Sequence, residues 1–222
     1  MENPGTSPDA NYGEFKIAEN ATATEIRGTG EYQAITANAV TGLLNGFTFD
    51  AGLLGEIASI ATDAGGILVT DVGHGLSAGN IITINGCATG GNEAYNGIFE
   101  VLTVPSTSTF TVGATYNADD TGYWQKGASL TCNATGVYGG SWASTGIAAT
   151  NGHVFDFCPV VNTTIAEAAC ARRTFSNADY GSFSGTEIVS LTAGDIITFV
   201  ARNNSASGNI TIRGLDLNLH RL

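Results

Sequence analysis

Apolar and other residues alternate with a period of two through the last forty residues of the chain. This alternation predicts strands over 188–191, 195–202 and 209–222, separated by tight turns, each strand with one buried face. In the last of them, Leu215, Leu217 and Leu219 are out of phase by one residue with Ile210 and Ile212. Because an extra residue re-aims a strand without ending it, we predict a β-bulge at Arg213-Gly214.

The middle of the chain has a pattern of its own between residues 57 and 127. Short apolar runs predict strands over 67–70, 81–85, 98–104 and 110–112, with a glycine-rich turn over 73–79. These strands form a compact meander in the prediction. Helix-like composition occurs only over 163–171, which we predict to be loop or strand with at most one helical turn.

Several short segments resemble one family in pattern, without a catalytic signature. They are Tyr12-Gly13-Glu14-Phe15-Lys16-Ile17, Asn20-Ala21-Thr22-Ala23-Thr24, Gly136-Val137-Tyr138, Trp142, Val154-Phe155-Asp156-Phe157, Arg172-Arg173, Asp179-Tyr180-Gly181-Ser182, Ser184-Gly185, Leu191-Thr192-Ala193-Gly194-Asp195, and the ending from Asn209-Ile210-Thr211-Ile212 to Leu219-His220-Arg221-Leu222. They are similar to the small jelly-roll modules, related to the C1q and tumour necrosis factor folds, of tailed-phage virion proteins. The resemblance implies a homotrimer on a particle surface.

The middle segment resembles a second module, the small β-module of phage tail and virion proteins. The similar residues are His74-Gly75-Leu76, those at 80–84, Tyr95-Asn96-Gly97 and Thr109-Phe110-Thr111-Val112. Asn80 stands where that family usually has an acidic residue, a change that a turn tolerates. The fold expected is therefore all-β, an antiparallel jelly-roll sandwich interrupted by a small inserted β-barrel or meander domain. Its parts are a polar N-terminal arm at 1–12, the jelly roll at 13–55 plus 128–222, and the insert at 56–127.

Composition narrows the class of protein. With 30 Gly, 43% hydrophobic and 13% charged residues, the chain fits an all-β globular protein. A net charge of −12 argues against a nucleic-acid partner, because Lys and Arg supply most of the attraction to phosphates. No apolar run is long enough to span a membrane, and the polar opening residues show no secretory signal. We expect a location on the virion surface after assembly in the host cytoplasm.

Residues suited to catalysis or metal binding are sparse. The four cysteines form no Cys-x-x-Cys pair, and we favour free buried thiols, with a Cys158 to Cys170 disulfide as the alternative. His74 is interpreted as a hydrogen-bonded turn histidine, and Asp119-Asp120 as a solvated loop. No nucleophile elbow occurs. We therefore expect no enzyme activity, no cofactor and no metal site.

Aromatic residues supply the candidate binding surfaces. The candidate trimer interface, of which half is expected to be plain core and at least one residue to face a partner, is Trp142, Phe155, Phe157, Tyr180, Phe183 and Phe199. Strand alternation places Phe155 and Phe157 on the same face. The candidate outward-facing binding surface of the insert is Tyr95, Tyr116, Tyr123 and Trp124, with the insert's own core as the alternative reading of these four.

Two functional classes follow from these observations. The first is a trimeric capsid decoration or head-fibre protein, whose partners are its own copies and the major capsid protein or other virion proteins. The second is a receptor-binding tail or spike tip that attaches to a host-surface glycan or protein. The first is favoured because no heptad pattern predicts a long shaft. A secreted cellular protein of the C1q type is the third and least favoured class.

Overall fold

The computed structural model describes residues 11–18, 23–26, 29–36, 39–88, 94–176, 180–206 and 208–222. The predicted N-terminal arm lies outside the described residues as far as position 10. A short 3₁₀ turn occurs at Glu167–Ala169. The strands are β1 (Tyr12–Ile17), β2 (Ala23–Thr24), β3 (Gln33–Ala34), β4 (Ala39–Asn45), β5 (Phe47–Asp50), β6 (Leu53–Ile57), β7 (Ser59–Asp63), β8 (Gly66–Thr70), β9 (Ile81–Asn85), β10 (Gly97–Ser106), β11 (Thr109–Val112), β12 (Gly122–Lys126), β13 (Ser129–Cys132), β14 (Gly136–Ala148), β15 (Val154–Val161), β16 (Thr164–Ile165), β17 (Ala171–Thr174), β18 (Tyr180–Leu191), β19 (Ile196–Asn203) and β20 (Ile210–Arg221).

Strand pairing defines the architecture as a jelly roll. With β2 to β5, β16 and the insert left out, eight strands remain. The first of these pairs with the last (β1 with β20), the second with the seventh (β13 with β19), the third with the sixth (β14 with β18) and the fourth with the fifth (β15 with β17). All of these pairs are antiparallel, and β20 with β14 and β19 with β15 join them into two sheets. This nesting is that of an eight-stranded jelly roll. The predicted all-β jelly-roll sandwich is confirmed.

The two sheets of the roll differ in their strands. The order in the first, here called sheet I, is β18-β14-β20-β1-β4, with β2 also paired to β20. The order in the second, sheet II, is β16-β15-β19-β13-β5, with β17 and β3 added at its sides. Aromatic side chains fill the space between the sheets, and the ring centroids of Phe157 and Phe183 lie 3.9 Å apart. Phe155 and Phe157 both point into this core, as the alternation predicted.

The last strand contains the predicted bulge. Thr145 pairs with Gly214 and Gly146 with Ile212, so that Arg213 is the extra residue. As a result Ile210 and Ile212 before the bulge, and the three leucines after it, all point into the core of the roll. The bulge keeps one strand of 12 residues buried along its inner side despite the change of phase.

Strands β6 to β12 form a third sheet, in the order β6-β12-β9-β10-β11-β8-β7, which we call the insert. The sheet curls on itself, because the backbone N–H of Ile60 donates to the carbonyl of Asp120 at 2.9 Å. Its interior is a separate apolar cluster that includes Tyr95, Phe110 and Trp124. The insert therefore has a hydrophobic core independent of the roll.

The insert rests against sheet II through polar contacts. The backbone N–H of Ala34 donates to Thr83 Oγ1 at 3.0 Å, and Asn85 Nδ2 donates to the carbonyl of Tyr32 at 2.8 Å. At the point of connection, Lys126 Nζ lies 2.8 Å from both carboxylate oxygens of Asp50. These bonds join β3, the residue before it and the end of β5 to strands of the insert.

The cysteines depart from the favoured prediction. Cys158 and Cys170 form a disulfide, so that the expectation of free thiols is wrong for these two. The reason is the local topology, since β15 pairs with both β16 and β17 and the intervening chain folds back over Cys158. Cys87 and Cys132 are free and buried, as predicted. Burial raises the pKa of the Cys87 thiol to about 12, which keeps it in the unreactive thiol form.

Candidate functional site

The outer face of sheet I is the candidate functional site. Strand alternation aims every second position of β14 and β18, two of the three longest strands of the sheet, away from the core. These positions are Val137, Gly139, Ser141, Ala143, Thr145 and Ile147 on β14, and Tyr180, Ser182, Ser184, Thr186, Ile188 and Ser190 on β18. None of the twelve is charged, although the whole chain has a net charge of −12.

A groove crosses this face. It has a volume of about 640 Å³, and its walls include Lys16, Val40 and Asp216. Its floor is built from small residues, since Ala143 and Ser184 are among those that line it. A second hollow of about 500 Å³ shares both of these residues and adjoins the first. Small side chains at the floor leave the backbone of the sheet open to close approach by another surface.

Large apolar side chains surround the groove. Among the described residues, eleven large hydrophobic side chains are exposed. Six of them belong to the outer face or edges of sheet I, which are Tyr12, Val40, Leu43, Val137, Tyr180 and Ile188. Ile188 is 72% and Leu43 71% exposed. Large apolar patches of this kind on a soluble protein mark sites of interaction.

The charges on this face balance one another in part. Lys16 Nζ lies 2.8 Å from Glu14 Oε1 and 3.5 Å from Asp216 Oδ2. The hydrogen bond from Lys16 lowers the pKa of Glu14, and the same bond raises the pKa of Lys16. Both groups stay ionised at neutral pH, and the three together carry a single negative charge.

Sheet II presents no comparable face. Outward-pointing Cys158, Val160 and Val200 are buried, because a layer of other side chains covers them. The covering side chains are Tyr32, Ile98, Ile165 and Cys170. Ile98 belongs to the insert, so the insert closes part of this outer face.

Two ion pairs of the buried carboxylate of Asp156 add to the cover over sheet II. Asp156 accepts hydrogen bonds from Arg172 Nε and Arg202 Nε, the second at 2.9 Å, and its side chain is 4% exposed. Burial alone would raise the pKa of Asp156, but the hydrogen bonds, led by that from Arg172, outweigh it and lower the pKa to about 2. The Arg202 guanidinium also lies 4.5 Å from the centre of the Tyr32 ring.

The aromatic residues proposed for a trimer interface divide unequally. Five of the six, namely Trp142, Phe155, Phe157, Phe183 and Phe199, are buried in the core of the protomer. More than the predicted half of the six are therefore core residues that fill the space between the two sheets, although Phe183 also lines the first hollow and Trp142 the second. Tyr180 is 58% exposed on the outer face of sheet I. It is the one member of the six whose side chain is largely exposed, and the prediction that at least one of them faces a partner rests on it.

The aromatic residues proposed as an outward surface of the insert also divide. Tyr95 and Trp124 are buried in the insert's core, so that the interpretation of these two as outward-facing is wrong and the core alternative holds. Tyr95 OH donates to the carbonyl of Ala118, and Trp124 Nε1 donates to Asp71 Oδ2. Tyr116 and Tyr123 are partly exposed.

The residues considered for chemistry have structural partners. His74 is buried in its turn, where Nδ1 accepts a hydrogen bond from the backbone N–H of Leu76 and Nε2 lies 3.2 Å from the carbonyl of Ser106. The interpretation as a hydrogen-bonded turn histidine is confirmed. Over the parts of the chain that the structure describes, no three His, Cys, Asp or Glu side chains group as metal ligands, and no helix has the length and apolarity to cross a membrane.

The small residues of β14 and β18 were not singled out from the sequence. Large aromatic side chains drew the interpretation toward the core, whereas the outer face consists mostly of Ser, Thr, Gly and Ala. The signal available was the period-two row of uncharged small residues in these two strands. This row predicts a continuous uncharged surface only when β14 and β18 are known to be neighbours in one sheet.

Comparisons with known proteins add little to this geometry. No protein-family model and no curated protein matches the chain. The structure of Eiger TNF from S. frugiperda is similar with a TM-score of 0.33 and 13% identity over 42% of this chain and 64% of that chain. A murine APRIL crystal structure gives 0.31 and 11% over 78% and 100% of the two chains. The structure of infectious bursal disease virus, Gx strain, gives 0.28 and 10% over 96% and 62%. At these scores the likenesses carry no argument about function.

Proposed function

We propose that this chain is a structural protein that associates with copies of itself through the outer face of sheet I, as a homotrimer on the surface of a phage virion. The observation that carries the proposal is the contrast between the twelve uncharged outward positions of β14 and β18 and the chain's net charge of −12. The core of a protein interface is depleted of charged residues and enriched in aromatic ones. Copies of an acidic chain also meet with less repulsion at a face that carries a single net negative charge.

The size of the face suits a stable interface. Five strands spaced about 4.8 Å apart and roughly ten residues long, at about 3.3 Å per residue, give a sheet face of roughly 800 Å². That area is about what one partner contributes to a standard interface. Tyr180 and Ile188 at one side and Val40 and Leu43 at the other provide large apolar side chains for the contact.

The oligomeric state can be tested directly by sedimentation. We expect a particle of three times the 22.7 kDa of one chain at micromolar concentration. Ser184→Arg places a charge on the floor shared by the two hollows, and we expect it to yield monomers that remain folded. Ser59→Arg, at an exposed position of the insert, is the matched control and should leave the trimer intact. A monomeric wild type would overturn the proposal.

The role on the particle is the finer part of the proposal. We favour a decoration or head-fibre protein of the capsid, with the major capsid protein or another virion protein as partner. Of the four aromatic residues that supported the alternative of a receptor-binding tip, Tyr95 and Trp124 belong to the insert's core. Their burial removes half of the surface on which glycan binding was predicted.

Cryo-electron microscopy of the particle that carries this protein tests the location. Three-fold density of matching size on the capsid shell is the expected result. Density at the tail or a fibre tip alone would contradict a decoration role and favour receptor attachment, in which case Tyr116 and Tyr123 become the first residues to substitute.

A further inference from the structure

Strand β18 is an edge strand of unusual length. All 12 of its residues pair with β14 on one side, and the strand order of sheet I places no strand on the other side within the described residues. The average strand has about five or six residues. An unpaired edge presents rows of N–H and C=O groups that can template another strand, so that natural proteins usually protect such an edge.

One half of this edge is open. Arg173 Nη1 donates to the carbonyl of Ser182 at 2.9 Å, and this bond occupies the N-terminal half of the edge. Because hydrogen-bonding direction alternates along a strand, Ser184, Thr186 and Ile188 point their backbone groups to the same side as Ser182. Apart from the pairing with β14, no backbone hydrogen bond reaches these three residues from the described part of the chain.

A single carboxylate stands at the inner side of this open half. Phe183 and Leu191 point into the core of the roll, and Glu187 lies between them in the same inward row. Burial raises the pKa of Glu187, and among the described residues no ion pair compensates it. An inward-pointing charge on an edge strand is a known device against unwanted strand pairing.

The charged and titratable groups of the elements packed against β18 leave Glu187 without a partner. On β14, the position opposite is Gly140, and Tyr138 is the nearest titratable side chain of the inward row. The 3₁₀ turn contributes Glu167, which has the same sign of charge. On β17, Arg172 is bound to Asp156 and Arg173 to the carbonyl of Ser182.

We propose that the open edge of β18 is a pairing surface for β18 of a second copy of this chain, and that Glu187 keeps it unpaired at neutral pH. Two copies related by a two-fold axis present the same strand to each other, antiparallel, so the surface is its own complement. The outward row along the edge is uncharged, which removes repulsion between the two acidic chains. The two Glu187 carboxylates, brought together on the inner side and shielded from water, oppose the pairing.

The device has two states. With Glu187 ionised, pairing buries two unpaired negative charges and the edge stays open. With Glu187 protonated or replaced by a neutral side chain, the cost is removed and the sheets of two copies join. The inference goes beyond the proposed function, because it concerns the edge of sheet I and not its outer face, and it holds whether the starting particle is one chain or three.

Sedimentation of three variants tests the proposal. At neutral pH we expect Glu187→Gln to have twice the mass of the wild type, whereas Glu100→Gln, an equal charge change at an exposed position of the insert, keeps the wild-type mass. The wild type should double in mildly acidic buffer above the pI of 4.3. Thr186→Pro removes an edge N–H at a position where proline is tolerated, and added to Glu187→Gln it should restore the wild-type mass.

Two results would overturn the inference. One is a Glu187→Gln variant that sediments as the wild type at both pH values. The other is a doubled mass that persists after Thr186→Pro, since the association then does not use the edge of β18. The wild-type mass at neutral pH reports the proposed trimer, and the ratio of variant to wild type reports edge pairing, so the two hypotheses fail separately.

Discussion

The two sheets of the jelly roll differ in how far other segments of the chain cover their outer faces. Both have apolar inner faces that meet in one core. The outer face of sheet II is closed by the insert, the Cys158–Cys170 disulfide and the ion pairs of Asp156. Among the described residues, no such layer covers the outer face of sheet I, which keeps a groove of about 640 Å³ and exposes several large apolar side chains.

The difference shows how one fold separates stability from association. On sheet II the buried carboxylate of Asp156 is paired within the protomer with Arg172 and Arg202. Sheet I carries small uncharged residues that neither need a cover nor resist one. Contact at the twelve outward positions of β14 and β18 removes no charged group from water, because none of those side chains is charged.

The largest expected loss of stability distinguishes an inward-facing from an outward-facing aromatic residue of sheet I. Trp142→Ala removes a side chain packed against Phe183 and Phe199, and we expect a loss of about 3–5 kcal/mol in the free energy of unfolding. Tyr180→Ala, in the same sheet but facing outward, should change protomer stability by less than about 0.5 kcal/mol and weaken self-association. Denaturant unfolding and sedimentation measure the two quantities. Similar losses of stability for both variants would refute the assignment of the two faces.

Loss of the disulfide is expected to have the next largest effect on stability, and it concerns only sheet II. Closing a loop of 12 residues stabilises by about 3 kcal/mol in the chain-entropy account. We expect a reductant to lower the thermal midpoint of the wild type, whereas the Cys158→Ala/Cys170→Ala variant starts lower and does not respond. Association through sheet I should be unchanged in both. A wild type that melts identically with and without reductant would show that these cysteines are not paired.

Local pattern predicted much of this structure because strand alternation is a short-range property. Strand β9 covers residues 81–85 as predicted, β8 and β11 contain the predicted strands 67–70 and 110–112, and the bulge lies at Arg213, where the change of phase placed it. Phe155 and Phe157 were likewise assigned to a common face. Each of these features depends on a few consecutive residues and on the geometry of one strand.

The functional surface depends on contacts that are distant in sequence. Whether an outward row is covered is decided by which segment crosses it, and Ile98 covers Val160 and Val200 only because the insert folds back on sheet II. The pairing of Cys158 with Cys170 similarly depends on β16 and β17 both joining β15. Aromatic residues were overvalued as interface candidates because the alternation gives two faces without saying which one is inside.

The smallest expected effect compares one carboxylate on each sheet. Asp156→Asn keeps the shape of the side chain but removes the charge that Arg172 and Arg202 bind, and we expect a loss of about 2 kcal/mol at neutral pH. Asp216→Asn, at a half-exposed position on sheet I, should cost less than about 0.5 kcal/mol. Urea unfolding of the two variants at neutral pH measures the difference between the sheets.

The pH dependence of the same pair tests the cause. The pKa of Asp156 is lowered from 3.8 to about 2, so its contribution is present above pH 3.8 and is lost as the pH falls toward 2. The gap in stability between the wild type and Asp156→Asn should therefore close over that range. A gap that stays constant in acid would mean that the loss comes from altered packing and not from the charge, and sheet II would then be covered without help from its ion pairs.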